Sequence, residues 1–211
     1  MAKSVSVEAV LFDMDGTLID STPGVLSAWA QFSADYNLGD SLKVAHETHG
    51  RRLYDTLREY CGIKDEEKLQ SEIDRFEELV IQGGPIALPG ALELVKQYAP
   101  RAIRRAGLPT PKAGIITSND VQEGKPHPAP YLAGARKCGV DPTECLVVED
   151  AISGLKAGKA AGAKTLAVTT TTAREPLSQS GANSDFIVKD LTKISVTLVD
   201  GRLEFLIDET E

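Results

Sequence analysis

Two rhythms alternate along this chain. In the first, short unbroken apolar runs end abruptly in charged or hydroxyl residues. Ala9-Val10-Leu11-Phe12 stops at Asp13, Cys145-Leu146-Val147-Val148 stops at Glu149, and Ala113-Gly114-Ile115-Ile116 stops at Thr117-Ser118. Thr165–Val168 and Phe186–Val188 are two further runs. Runs of this length beside turn residues predict strands buried on both faces. Between them, helical spacing covers 91–98, 129–138 and the small-residue stretch 152–163. Strands alternating with helices predict an α/β fold around a mostly parallel sheet. Such sheets gather their chemistry at the C-terminal ends of the strands.

The second rhythm fills residues 25–82, where apolar positions recur at helical spacing: Val25, Trp29 and Phe32; Leu53, Leu57 and Tyr60; Leu69, Ile73, Phe76 and Val80. Breakers flank this stretch, Ser21-Thr22-Pro23-Gly24 before it and Gln82-Gly83-Gly84-Pro85 and Leu88-Pro89-Gly90 after it. The pattern predicts a small helical domain, 22–87, inserted into an α/β domain made of 1–21 and 88–211. Near the end, Val196–Val199 and Leu203–Ile207 flank Asp200-Gly201, which predicts a β-hairpin.

Composition narrows the setting. The chain has 211 residues, a net charge of -8 and a pI near 5.0, which argues against nucleic acid or an anionic membrane as partner. Three cysteines without metal-ligand spacing fit a reducing compartment better than a disulfide framework. With no signal-peptide pattern and no apolar stretch of bilayer length, the expectation is a cytoplasmic, soluble monomer.

The chemistry is expected at three places. Asp13 and Asp15 are two residues apart, so an extended backbone aims both carboxylates to one side. They repel unless a cation or a shared proton intervenes, and a divalent metal is the simplest resolution. Gly16 permits a tight turn and Thr17 adds a hydroxyl. The second place is Gly124-Lys125-Pro126-His127-Pro128; the third is Glu149-Asp150. Singly, each reads as a turn, a solvated lysine or a helix cap. Together, in this order at strand ends, they are specific.

In these residues the chain resembles the haloacid dehalogenase superfamily of phosphohydrolases. Asp13-Met14-Asp15-Gly16-Thr17 is similar to its first motif, Lys125 to the lysine of its third, and Glu149-Asp150 to its acidic fourth. Asn119–Tyr131, Val148–Ala151, Ala157–Gly162 and the C-terminal hairpin resemble the glycerol-phosphate and 2-deoxyglucose-6-phosphate phosphatases within it.

The resemblance implies a Rossmann-like core with an inserted helical cap. It further implies Mg²⁺-dependent hydrolysis of a small phosphorylated polyol or sugar through an aspartyl-phosphate. Phosphate monoesters hydrolyse so slowly unaided that covalent catalysis with charge neutralisation is needed. By this likeness Asp13 is the nucleophile, Asp15 the acid and base, and Lys125 the counter-charge. Mg²⁺ is held by Asp13, the Asp15 carbonyl and Asp150, with Glu149 at the edge. Amides around Met14, Asp15, Gly16 and Thr17 bind phosphate oxygens. In the cap, His49-Gly50-Arg51-Arg52 places Arg51 or Arg52 near the leaving group, or else forms a solvated helix start. His46 is expected on the surface, and His127 as a loop stabiliser.

One family element is missing. A strand ending in Ser or Thr should follow the first helix after the cap, yet Gln97-Tyr98-Ala99-Pro100 leads directly into Arg101-Ala102-Ile103-Arg104. Position in the chain favours a lost strand, an unpaired edge beside Ala9–Phe12 and one phosphate ligand fewer. The alternative moves 113–118 into the vacancy, with Thr117 or Ser118 binding phosphate. A sugar-phosphate mutase and a catalytically impaired relative are the rival functions.

Overall fold

The computed structural model describes residues 2–95 and 114–210. Four parallel strands form the main sheet: β2 (Ala9–Phe12), β5 (Cys145–Glu149), β6 (Lys164–Val168) and β7 (Phe186–Val188), in the order β2-β5-β6-β7. In the register, Ala9 lies opposite Cys145 and Phe12 opposite Val148, so the two acidic strand ends come out side by side.

Alternation along these strands builds the layers. Cys145 and Val147 face one side, where they pack with Ala9 against Tyr131 and Ala135 of α6 (Ala129–Cys138) and Ala157 and Ala161 at the end of α7 (Ile152–Ala160). Leu146 and Val148 face the other side, against Leu166, Val168, Val188 and the second sheet. The small residues of α7 let it sit close: a Cβ on Gly158 would lie 3.0 Å from Val147 Cγ1 and from Thr165 Cγ2.

The second sheet takes up the N-terminus. Residues before Glu8 form a separate strand, β1 (Lys3–Val7), antiparallel to β9 (Arg202–Ile207), which pairs in turn with β8 (Ile194–Val199). Val5 and Val7 lie buried with Phe205 and Ile207. The expected hairpin is present, and Asp200 (φ 47°) and Gly201 (φ 80°) supply the left-handed pair that a tight turn matching strand twist requires.

The insert folds around a core of its own. It comprises α1 (Thr22–Tyr36), α2 (Ser41–Thr48), α3 (Leu53–Tyr60) and α4 (Glu66–Gln82). The predicted stripes meet there: Trp29, Phe32, Leu57, Leu69, Ile73 and Phe76 are buried together, with Phe76 5.0 Å from the Trp29 ring and 5.3 Å from the Phe32 ring. Asp40 and Asp65 cap α2 and α4 by accepting hydrogen bonds from their first-turn amides. Where the insert joins the core, Gly24 and Gly83 touch; a Cβ on Gly83 would stand 2.3 Å from Gly24 Cα. Phe76→Ala is expected to cost about 3–5 kcal/mol. Trp29 is the chain's one tryptophan, so its fluorescence during denaturant unfolding reads the loss.

Two expectations need revision. The helix at 91–98 is described only as the short turn of helix α5 (Ala91–Leu94), with the rest outside the described residues. The strand over 113–117 is not formed across its described part: Gly114–Thr117 carry no regular structure. Gly114 takes φ 90°, Ile115 gives its carbonyl to Lys137 Nζ at 2.8 Å, and Thr117 caps the 3-10 turn Ser118–Asp120. Among the described residues β2 therefore ends the parallel sheet, and Val10, Leu11 and Phe12 are only half-buried. Residues 114–118 do not pair with β2, and the stretch 97–106, where the family strand is expected to be lost, lies outside the described residues.

Candidate active site

Beyond Phe12 the chain leaves the sheet and turns sharply. The amide of Asp13 still donates to Val148 O at 3.0 Å, holding Asp13 beside β5. Then Leu18 and Ile19 donate to Met14 O (2.9 and 3.0 Å), and Gly16 donates to Ile19 O (2.8 Å). Gly16, at φ 83°, is needed here: a Cβ would fall 2.2 Å from Asp150 Oδ2. The turn uses the amides of Gly16 and Thr17, the latter donating to Met14 O at 3.3 Å. Those two expected phosphate donors are thus engaged, whereas no acceptor is described for the amides of Met14 and Asp15. Thr17 contributes its hydroxyl instead, to Asp150 Oδ1 at 3.1 Å.

Lys125 joins the two strand ends. Its Nζ donates to Asp13 Oδ1 and, at 2.5 Å, to Glu149 Oε1. Burial works against the ammonium, but Asp13 and Glu149 outweigh it and hold Lys125 charged well above the usual lysine range. Glu149 is wholly buried. Burial raises its carboxyl foremost, Asp13 adds to this, and Lys125 opposes. Both its oxygens are engaged: Oε1 by Lys125 and by Tyr131 Oη at 2.7 Å, Oε2 by the amides of Asp150 (3.1 Å) and Ala151 (3.0 Å).

Asp15 combines an open side with crowded surroundings. Desolvation raises its carboxyl to about 6, with a hydrogen bond from Ser21 opposing and Asp13 reinforcing. A carboxyl placed there gives and takes protons near neutrality while reaching solvent.

One oxygen from each of Asp13, Glu149 and Asp150 lies within 4.8 Å of the others. Asp13 Oδ2 receives no hydrogen bond among the described residues. A hard-oxygen cluster with a free carboxylate oxygen fits a divalent cation of the Mg²⁺ type.

Besides Tyr131 and Ser21, three contributors at the site were not anticipated from the sequence. Thr171 Oγ1 donates to Asp150 Oδ2, and Thr170 Oγ1 to the Gly16 carbonyl. Both follow β6, so the strand-end rule that flagged Asp13 and Glu149 also pointed at Thr169–Thr172. From the insert, His49 Nε2 lies 3.0 Å from Asp150 Oδ2, and this contact, foremost, raises the imidazole above its ordinary range. Gly50 follows it onto the core, where a Cβ would meet Ala151 Cβ at 2.4 Å.

The other expected residues are placed differently. Arg52 holds Asp55 through two bonds, at 2.9 and 2.7 Å, and Val121 O at 2.9 Å, tying the insert to the 121–127 loop. Arg51 pairs with Glu59 and lines a surface cavity of about 600 Å³, walled on its far side by Gln122–Pro128, Lys125 included. Thr117 is exposed, and its hydroxyl donates to Asp120 Oδ2 at 2.9 Å; no described bond joins it to the cluster. Ser118 opens that turn, and its side chain lies outside the described part of the structure. His46 is exposed, and His127 pairs with Glu123 at 3.0 Å while accepting from Ala129 N, both as expected.

With this constellation in place, the family comparison is decisive: residues 7–162 match the model of the haloacid dehalogenase-like hydrolases. The chain belongs to that family. It is 35% identical to hexitol phosphatase A of Escherichia coli (strain K12), covering 89% of this chain and 93% of that protein. It is 32% identical to glycerol-1-phosphate phosphohydrolase 2 of Saccharomyces cerevisiae, covering 98% and 92%. The latter alignment runs over 236 positions, more than the 211 residues of this chain, so the yeast enzyme carries residues that have no counterpart here. A crystal structure of a family hydrolase from Deinococcus radiodurans R1, with bound phosphate and sodium, superposes with a TM-score of 0.60. It shows 25% identity, covering 88% of this chain and 92% of that one. As in the phosphatases of this hydrolase family, the chemistry of this chain rests on an aspartate cluster. No helix among the described residues is long and apolar enough to cross a membrane.

Proposed function

We propose that this hydrolase is a Mg²⁺-dependent phosphatase of small phosphorylated polyols or sugars, of the hexitol, glycerol or deoxysugar phosphate type. The observation that carries the reading is the Asp13–Lys125–Glu149–Asp150 cluster with Asp15 open beside it. An Asp13 carboxylate oxygen bonds to phosphorus as the bond to the leaving oxygen breaks. Asp15, raised to about 6 so that a fraction stays protonated near neutral pH, gives its proton to that oxygen. It then takes one from the water that splits the aspartyl-phosphate, releasing inorganic phosphate and restoring Asp13. Lys125 pairs with Asp13 and offsets phosphate charge. The Met14 and Asp15 amides, which have no acceptor among the described residues, take the same role as donors.

Asp13, Asp150 and the Asp15 carbonyl would hold the metal, with Glu149 held back by its four donors. Bound there, Mg²⁺ supplies charge neutralisation to the transferring phosphoryl group. In this reading residues 22–87 are the cap over a core of 1–21 and 88–211, and Arg51 faces the leaving group across the 600 Å³ cavity. An acidic chain with free cysteines suits the reducing cytoplasm.

Removing Mg²⁺ with a chelator is expected to lower phosphate release by about 10²–10³-fold, with recovery on adding Mg²⁺ back. A panel of glycerol, hexitol and deoxysugar phosphates tests both the metal and the substrate class; turnover indifferent to chelation would overturn the metal assignment. A second reading, an impaired relative, is favoured by one observation: among the described residues β2 ends its sheet and no hydroxyl stands where the missing one is expected. Loss of one such donor lowers rate by about 10²–10³-fold. Metal or phosphate binding without turnover across the panel would select it.

A further inference from the structure

The geometry assigns Tyr131 as a positioning residue for Lys125, and this inference rests on the phosphatase reading above. Tyr131 is buried in the first turns of α6, six residues beyond Lys125, on the side of the sheet that Glu149 faces. Strand alternation explains the meeting. Glu149 continues the Cys145 and Val147 side of β5, and Tyr131 packs with those two residues. The ring and the hydroxyl of Tyr131 then act on the lysine from two directions. Lys125 Nζ stands 5.4 Å from the ring centroid, over its face, where the negative quadrupole attracts an ammonium. The hydroxyl donates to Glu149 Oε1, the same oxygen that accepts from Lys125.

That shared oxygen sets the balance. Lys125 is divided between Asp13 and Glu149. The Tyr131 hydroxyl satisfies part of the demand of Oε1 for donors, and the two backbone amides satisfy Oε2. With the hydroxyl removed, Oε1 keeps only the ammonium, and Glu149 draws Lys125 toward itself and away from Asp13. An aromatic residue without a hydroxyl would fill the same space, so the Tyr131 hydroxyl is not needed for packing. Its chemistry is directed at the lysine.

Tyr131→Phe tests this, because it keeps the ring and deletes only the donor. The expected result is a fall in kcat for p-nitrophenyl phosphate of about tenfold, with KM within about twofold. Tyr131→Leu, which also removes the ring, should fall further. A second readout is independent of turnover. In protein labelled with ¹⁵N-lysine, the side-chain ammonium signal that Lys125→Met abolishes belongs to Lys125. It should move and broaden in Tyr131→Phe while the melting temperature stays near the parent. An unmoved ammonium signal, a kcat within about twofold of the parent, or a change confined to KM overturns the assignment. A parent enzyme without turnover counts against the phosphatase reading alone, and the ammonium signal then decides the role of Tyr131.

Discussion

Asp13→Asn is expected to abolish phosphate release, lowering kcat by at least about 10³-fold while leaving the fold intact. The amide has no anionic oxygen to attack phosphorus and none to bind a divalent cation. The substitution keeps the shape of the side chain, and the backbone that places it is held independently by Asp13 N and Val148 O at 3.0 Å. Lys125 retains Glu149 as counter-ion at 2.5 Å, so the buried ammonium is not left alone. The measurement is phosphate release from the substrate panel beside the circular dichroism and melting temperature of both proteins. A variant that keeps turning over at the parent rate would show that another group attacks phosphorus.

Gly154→Ala is expected to lower both stability and activity while leaving every charged residue in place. A Cβ on Gly154 would lie 1.6 Å from Glu149 Oε1 and 2.0 Å from its carboxyl carbon. Neither side yields easily. Gly154 is buried in α7, which is pressed against β5, and four donors fix the Glu149 carboxylate. Overpacking of this kind costs about 1–3 kcal/mol of stability. The displaced carboxylate also takes Lys125 with it, so activity should fall by about 10²-fold in whatever protein still folds. Gly134→Ala is the control. Its Cβ would meet the half-buried Leu11 side chain at 3.3 Å, and alanine favours the helix by about 1 kcal/mol. Thermal melting and kcat of the two variants separate a clash at the site from a general intolerance of alanine.

Much of this was legible in the chain. The four apolar runs that became β2, β5, β6 and β7 are each a few residues long and stop at a polar group, which is a local property. The same holds for the helical stripes Val25–Phe32, Leu53–Tyr60 and Leu69–Val80, which found one another in the core of the insert. The acidic ends Asp13 and Glu149-Asp150, with Lys125, met as expected because parallel pairing in register puts the ends of β2 and β5 side by side.

The parts that went differently depended on which partner each group found, near or far along the chain. Only Glu8 parts Lys3–Val7 from Ala9–Phe12, and pairing with Arg202–Ile207 carries the first into a separate sheet. Arg52 looks like a free cation until Asp55 and Val121 O take its guanidinium. Thr117 ends an apolar run as a phosphate ligand would, yet Asp120, three residues on, takes its hydroxyl first. His49 and Asp150 are 101 residues apart, and no pattern along the chain joins them.

The sequence by itself determined that Asp13 and Glu149-Asp150 stand at strand ends, because alternation and strand termination are set by nearest neighbours. Only the tertiary structure decided the surroundings. The pairing of β2 with β5, the four donors on Glu149 and the meeting of insert and core at Asp150 follow from which elements pack together. Packing is fixed by the total burial of apolar surface and the satisfaction of buried polar groups, not by any single segment.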